Sequence, residues 1–324
     1  MKPSRRSLAV AMGLCFALSE PSLGFDRNEP VAPLPEIDRL DAGKVALGQS
    51  LFFDPILSSD NQMSCASCHD PAAGGTMRTP RPTGKVDGKP LFNVPTIFNV
   101  ANNHMFGWRG SLRSLVEQNE KVLLDPNLMG AQWDDLVSKL DGSKGYGDAF
   151  REAYGSPPTR EAVLDALGAY EISLRTPGAP FDRYMRGDLA ALTPQQIEGY
   201  GLFKDYGCAS CHQGSNIGGN MSQRLGIFND NNRDFRESPV DVATDQDEER
   251  RPFRVPSLRN VAKTAPYFHD GRTPDLTEAV SQMGLLQLGR YLSPGDIAAL
   301  RAFLESLTGN VPNVPQPRSK RRDR

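Results

Sequence analysis

A chain of 324 residues is long enough for about two domains with hydrophobic cores of their own, so it does not need disulfide bonds to fold. The formal net charge of -2 at pH 7 lacks the strongly basic balance of a nucleic-acid-binding protein, and no nucleic-acid partner is predicted. The 30 glycines and 26 prolines favour long loops between modest helices over a large sheet.

The N-terminus has the pattern of a secretory signal. Three basic residues precede an apolar run at residues 8–18, and small residues follow before Phe25. This predicts a signal peptide over residues 1–24, which would also remove Cys15. An uncleaved membrane anchor is the alternative, but the run is short for a transmembrane helix. We therefore expect an exported protein with no membrane span after cleavage.

Helices alternate with long loops along the remaining chain. Apolar periodicity and terminal signals predict helices over residues 36–53, 112–124, 133–140, 149–154, 160–174, 276–283 and 296–307, and one that starts at Thr193-Pro194 and leads into Cys208. Residues 71–95 and 213–254 are rich in turn-forming residues and are predicted to be loops.

The segment Thr-Pro-Gly-Ala-Pro at residues 176–180 is the best linker candidate. It divides the chain into an N-terminal domain over residues 25–175 and a C-terminal domain over residues 176–316. The basic tail at residues 317–324 is expected to be a solvated end.

One short motif occurs twice and indicates a cofactor. The sequence Cys-Ala-Ser-Cys-His is found at Cys65, Cys68 and His69 and again at Cys208, Cys211 and His212. Two cysteines separated by two residues and followed by histidine form the attachment pattern of a c-type haem, in which the thiols bind the porphyrin and the imidazole reaches the iron. Disulfides or a zinc site are the alternatives, but neither explains a histidine directly after each pair. Two covalent c-type haems are predicted, and their attachment outside the bacterial cytoplasm agrees with periplasmic export.

An internal repeat relates the two haem-binding units. With an offset of 161 residues, positions 94–117 align with positions 255–278 and 8 of the 24 pairs are identical. This similarity indicates duplication of one haem-binding unit.

The repeat also predicts that the two iron sites differ. Met283 follows the second motif on a predicted helix and could be the second axial ligand of the His212 haem, although a methionine on a helix more often fills a core. Its counterpart is Val122, which cannot bind iron. The first haem is therefore expected to have an open position for a small oxidant such as peroxide, unless His104 turns inwards to close it.

The chain resembles the bacterial di-haem cytochrome c peroxidases and their MauG-like relatives. The resemblance covers nearly the whole predicted mature chain, through Leu-Gly-Gln-Ser-Leu-Phe-Phe-Asp at residues 47–54, the stretch at residues 255–271 and Ala-Phe-Leu-Glu-Ser-Leu-Thr-Gly at residues 302–309. It implies a mainly α fold, with two cytochrome-c-like helical domains, long irregular loops and a calcium ion between the domains. It also implies electron flow from the C-terminal haem to the N-terminal, peroxidatic haem.

The resemblance implies roles for single residues. Met283 falls on the distal methionine of the electron-accepting haem, Trp108 on the tryptophan between the haems, and Gln118 on the glutamine above the first haem. His269 falls on a histidine near the haem interface that does not bind iron. The positions that match the family's calcium ligands are Asn93, Thr264 and Pro266.

Two departures from the family pattern concern the first haem. The loop at residues 83–88 has no histidine, so the first haem is expected to be open without reductive activation. Leu128 stands where the family has a glutamate that moves a proton between peroxide oxygens, and Glu117 or Glu120 could substitute for it.

The leading prediction is a periplasmic peroxidase that reduces hydrogen peroxide to water with electrons from a small cytochrome c or a cupredoxin. MauG-like oxidation of a protein or small molecule is the second hypothesis, which Leu128 supports and Met283 opposes because that relative has a tyrosine in this role. A non-catalytic di-haem electron carrier is the third. A homodimer is one assembly that the resemblance allows.

Overall fold

The computed structural model describes residues 29–36, 39–82, 85–86, 89–228 and 251–312. The predicted signal peptide with Cys15, the basic tail, most of the histidine-free stretch at residues 83–88 and residues 229–250 of the second predicted loop lie outside the described residues.

The described part of the chain is mainly helical, which confirms the predicted fold class. Its α-helices are α1 Ala42–Phe53, α2 Leu115–Leu124, α3 Trp133–Gly142, α4 Tyr146–Tyr154, α5 Arg160–Ser173, α6 Pro180–Met185, α7 Pro194–Asp205, α8 Leu276–Leu288 and α9 Pro294–Ser306. Two short antiparallel pairs accompany them, β1 Lys85–Val86 with β2 Lys89–Pro90 and β3 Ser222–Gln223 with β4 Phe253–Arg254.

The helix ends follow from local capping. Helix α1 begins at Ala42 rather than at residue 36, because Asp41 is extended and its carboxylate accepts a hydrogen bond from the Lys44 N–H at 3.0 Å. Helix α8 continues past its predicted end and stops at Gly289, whose φ of 65° is the left-handed conformation that glycine adopts at helix ends.

Two close helix crossings centre the two units of the fold. Helix α1 crosses α5 at Gly48, where an added Cβ would lie 1.9 Å from the carbonyl oxygen of Ala166. Helix α7 crosses α9 in the same way at Gly199, again with 1.9 Å to the carbonyl oxygen of Ala299. Only glycine permits such close contact between helix backbones. The matching geometry shows that the two units are built on one plan.

Each crossing belongs to a separate hydrophobic core. The segment at residues 29–36 packs on the second core although it precedes the first unit in sequence: Val31 is fully buried there, and Glu29 accepts a hydrogen bond from the Tyr200 hydroxyl. The domain boundary at residues 175 and 176 stays a prediction.

The units share a polar centre at Thr176. Asn99 and Asn260, which are related by the repeat, both adopt the left-handed conformation, with φ of 58° and 59°. Their side-chain amides both donate to Thr176 Oγ1, at 2.8 and 2.9 Å. One buried hydroxyl therefore accepts an equivalent hydrogen bond from each unit.

The units also exchange a pair of backbone hydrogen bonds. The Asn93 N–H donates to the His269 carbonyl at 2.8 Å, and the Arg254 N–H donates to the Trp108 carbonyl at 2.7 Å. Both donors and both acceptors are related by the offset of 161 residues. This reciprocal pair lies between the two haem-binding units.

Among the helices of the described residues, none has the length and the apolar character needed to cross a membrane.

Candidate functional site

The attachment cysteines occupy equivalent short turns. Cys65 and Cys208 each begin a single 3-10 turn, and all four motif cysteines are free thiols. Burial raises the pKa of Cys65 to about 12 and that of Cys208 to about 11, so these thiols are neutral at pH 7. Within the described part of the chain, no cluster of three or more metal-binding side chains exists. The disulfide and zinc alternatives therefore have no support here.

The two motif histidines are oriented by backbone carbonyls. His69 Nδ1 lies 3.2 Å from the Gly75 carbonyl oxygen, and His212 Nδ1 lies 3.4 Å from that of Ile217. When Nδ1 donates to a carbonyl, Nε2 carries the lone pair that can bind a metal. Burial lowers the pKa of both rings, that of His212 to about 4, so they are neutral imidazoles. Both residues suit the proximal role predicted for them.

A cavity of about 490 Å³ adjoins the second motif. Its lining includes Cys208, Cys211 and His212, and Met283 lies on α8 in the same wall. Thiols, a neutral imidazole and a thioether around one largely apolar space are a donor set that fits a c-type haem. The structure thus brings these four residues together, and iron ligation by Met283 stays a prediction.

The first motif lies against the other core, with hydrocarbon at the counterpart of Met283. Cys65 and Val122 both pack against the core that contains the α1 and α5 crossing. His104 is exposed, and its backbone N–H donates to the Gly219 carbonyl of the second unit. An exposed imidazole is not positioned to close the first site, so the inward-facing alternative for His104 is not what the structure has.

Gln118 has an unused hydrogen-bonding atom. Its side-chain Oε1 is buried and has no hydrogen-bond partner among the described residues. An added Cβ at Gly107 would lie 3.6 Å from this oxygen. A buried amide oxygen without a donor is an orphan that a bound molecule can satisfy.

The two glutamates considered as substitutes at Leu128 are both engaged elsewhere. Glu120 accepts hydrogen bonds from Arg160 at 2.6 and 2.7 Å, and one from the Trp133 indole. The bonds from Arg160 lower the pKa of Glu120. Glu117 is exposed, and its carboxylate accepts from the Arg113 N–H at the start of α2. Neither carboxylate is free to act as a proton carrier.

The sequence patterns did not predict Glu171, a buried carboxyl on α5 that is 7% exposed. Helices α5 and α9 match at their crossings with Gly48 and Gly199, and this match pairs Glu171 with Leu304, which lines the second cavity. Asn119 Nδ2 donates to its carboxylate at 2.8 Å. The pairing indicates that Glu171 faces the first haem site. The signal was the shared Leu-x-Ala-aromatic pattern of the two helices, whose offset of 133 residues differs from that of the main repeat.

An aromatic cluster joins the two units. Trp108, Phe253 and His269 all line the second cavity, and the Phe253 and His269 rings stack with centroids 4.2 Å apart. The Trp108 ring lies 6.4 Å from Phe253 and 6.3 Å from His269, edge-on to both. Its indole N–H donates to the Asn93 carbonyl at 2.6 Å, which fixes the ring.

The predicted calcium residues are brought together in part. Asn93 Nδ2 donates to the Pro266 carbonyl at 2.7 Å and the Phe268 carbonyl at 3.1 Å, while its Oδ1 is buried without a partner. Rotating the amide by half a turn would place three oxygens together, a donor set that suits Ca²⁺. Thr264 donates its hydroxyl to the Val261 carbonyl instead.

Comparison with known proteins supplies the family. A family model described as di-haem cytochrome c peroxidase matches residues 42–190. The chain is 40% identical to the cytochrome c peroxidase Ccp of Escherichia coli over 289 residues, which cover 87% of this chain and 62% of that protein.

A second relative is matched over nearly its whole length. The cytochrome c551 peroxidase of Nitrosomonas europaea is 34% identical over 313 residues, with 96% of this chain and 92% of the relative covered. The crystal structure of a MauG-like protein associated with microbial copper homeostasis superposes with a TM-score of 0.71 at 24% identity, over 90% of this chain and 97% of that one, which supports the shared fold. The chain belongs to the di-haem cytochrome c peroxidase family.

Proposed function

We propose that this protein is a periplasmic peroxidase that reduces hydrogen peroxide to two water molecules, with two electrons from a small cytochrome c or cupredoxin and two protons. Family membership implies two c-type haems and a peroxidase-type oxidoreductase. The observation that carries the division of labour is the contrast between Met283, which lines the His212 cavity, and Val122, its hydrocarbon counterpart. Electrons enter at the second site, and peroxide reacts at the first.

The haems would be held by the cysteines and histidines of the two motifs. When bound, each haem supplies an iron that carries electrons, and the iron at the first site also has an open position for peroxide. The chain keeps His69 and His212 neutral and oriented through their carbonyl contacts. Met283 would complete the second site, since a thioether opposite histidine favours the reduced iron.

At the first site, Gln118 would bind the substrate. Its side-chain amide can donate a hydrogen bond from Nε2 to one peroxide oxygen and accept one at the unpartnered Oε1. Leu128 cannot move a proton, so the reaction lacks a contribution of about 10²–10⁴-fold that a carboxyl group there would give. The trapped indole of Trp108 would carry electrons between the sites.

The predicted signal peptide is the basis for a periplasmic location. A calcium ion at Asn93, Thr264 and Pro266 would fix the backbone that holds Trp108, because the Asn93 carbonyl accepts the indole N–H. Both statements belong to the proposal.

Steady-state turnover of peroxide with a reduced small cytochrome c tests the proposal directly on the purified protein carrying both haems. Gln118→Leu should lower turnover by about 10²-fold, as loss of a positioned hydrogen-bonding group does. The exposed Gln62→Leu is the matched control and should be neutral. Absence of turnover in a protein whose first ferric haem binds cyanide would rule the proposal out.

Leu128 favours a second candidate, oxidation of a protein or small molecule in the manner of MauG. In that case peroxide would be consumed rapidly only when such a substrate is present, and slowly with reduced cytochrome c. An electron carrier would instead bind neither cyanide nor peroxide at its first haem.

A further inference from the structure

Arg254 is held rigidly at the boundary of the two units. It lies in β4 and is 5% exposed. Its backbone N–H donates to the Trp108 carbonyl at 2.7 Å, and its Nε donates to the Gly107 carbonyl at 3.0 Å. Two bonds to the neighbouring unit therefore fix both the backbone and the plane of the guanidinium group.

The charge of this group is not neutralised by the protein. Burial lowers the pKa of Arg254 to about 10, which leaves the guanidinium protonated at pH 7. Among the described residues no carboxylate pairs with it, and its Nη1 is buried without an acceptor. Arg259, which is similarly buried, has its partner in Asp182 at 2.7 Å. A buried unpaired cation is costly, so Arg254 requires an anion that the described side chains do not supply.

The guanidinium lines the cavity of the second haem. Arg254 shares this wall with His212 and Met283, in surroundings that are mostly apolar. A c-type haem carries two propionate carboxylates, and a planar guanidinium binds a carboxylate through parallel hydrogen bonds. The cofactor that the motif predicts thus brings the missing anion with it.

The repeat shows that this cation is specific to the second unit. The counterpart of Arg254 is Asn93, which makes the same backbone hydrogen bond to the other unit but has a neutral side chain. A positive charge that remains next to one haem favours the reduced state of its iron, because reduction removes a positive charge from the iron centre.

We propose that Arg254 binds a propionate of the haem attached at Cys208 and Cys211 and raises the reduction potential of that haem. Arg254 is then a positioning residue that helps the second site to accept electrons. The proposal rests on the presence of the second haem, which family membership implies, and not on the proposed peroxidase activity.

The experiment is an equilibrium redox titration of the purified di-haem protein without peroxide, followed by its absorption spectrum. Arg254→Met should lower the midpoint potential of the Met/His haem and leave that of the first haem nearly unchanged. Arg254→Lys retains the charge and should recover most of the difference. Resonance Raman spectra should show a shift of the propionate bending modes in both variants, because lysine cannot reproduce the bidentate contact.

Arg290→Gln is the matched control, since Arg290 is an exposed arginine of the same unit that lies over the Tyr206 ring. It removes the same formal charge and should leave the potential and the Raman bands unchanged. An unchanged potential in Arg254→Met, with both haems attached and the low-spin spectrum intact, would overturn the proposal. So would a shift confined to the first haem, or an equal shift in Arg290→Gln.

Discussion

Burial of Glu171 predicts a measurable pH dependence of stability. Burial raises the pKa of this carboxyl from 4.5 to about 7, partly opposed by the hydrogen bond from Asn119. In the unfolded chain the pKa returns to about 4.3. Between these values the folded state binds a proton that the unfolded state has released. The contribution of Glu171 to stability is therefore complete below about pH 4 and is lost as the pH rises through about 7.

The size of this effect follows from the shift. Each pKa unit corresponds to about 1.4 kcal/mol, so a shift of roughly 2.5 units makes about 3 kcal/mol. Glu171→Gln keeps the shape and can still accept the hydrogen bond from Asn119, but it does not ionise. The variant should match the wild-type protein near pH 4 and exceed its free energy of unfolding by about 3 kcal/mol at pH 8.

Urea unfolding of the haem-loaded protein, followed by far-ultraviolet circular dichroism at several pH values between 4 and 8, measures the difference. Glu305→Gln removes an exposed helix carboxylate paired with Arg301, a contact worth at most about 1 kcal/mol, and serves as the control. If wild type and Glu171→Gln keep a constant difference across this range, or if the variant is the less stable at pH 8, then Glu171 is not a buried carboxyl with a raised pKa.

Three further predictions concern the haem sites and the helix crossings. Met283→Leu should abolish the low-spin Met/His absorption signature while both haems stay attached, whereas Met129→Leu, in the first core, should preserve it; an unchanged spectrum would make Met283 a core residue. Gly48→Ala should lower the free energy of unfolding by about 3 kcal/mol, because its Cβ meets a backbone carbonyl, while Gly168→Ala, which meets nothing within 4 Å, should raise it by up to about 1 kcal/mol; equal effects would refute the close crossing. Leu128→Glu should raise peroxide turnover by about 10²-fold and Leu128→Gln should not, because only the carboxyl group can transfer a proton; a similar gain in both variants would contradict this role.

The features that the sequence predicted well depend on local chemistry. The Thr193-Pro194 signal starts α7 at Pro194, and Gln196 completes a capping box with Thr193 at 2.9 and 3.3 Å. The offset of 161 residues likewise paired Asn99 with Asn260 before their shared conformation was visible. Capping and turn chemistry act over a few residues, so short patterns are enough to predict them.

The features that were missed depend on distant contacts. The segment at residues 29–36 lies on the second core, and no local pattern specifies which of two similar cores a short apolar segment will join. Glu171 escaped because α5 and α9 are related by a different offset from the loops that precede them. The pairing of Glu120 with Arg160 was equally hidden, since 40 residues separate the two in sequence. Such relations exist only after the helices have packed.

The reciprocal hydrogen bonds, from Asn93 to His269 and from Arg254 to Trp108, have the form of an isologous dimer interface. In a homodimer every substitution appears on both sides of the symmetry axis, so a methionine ligand or an added cation would alter both iron sites alike. Joining the two copies in one polypeptide removes that constraint. Each half can then diverge while the contact between them is kept, and this fusion is what permits two sites of unequal chemistry across one nearly symmetric interface.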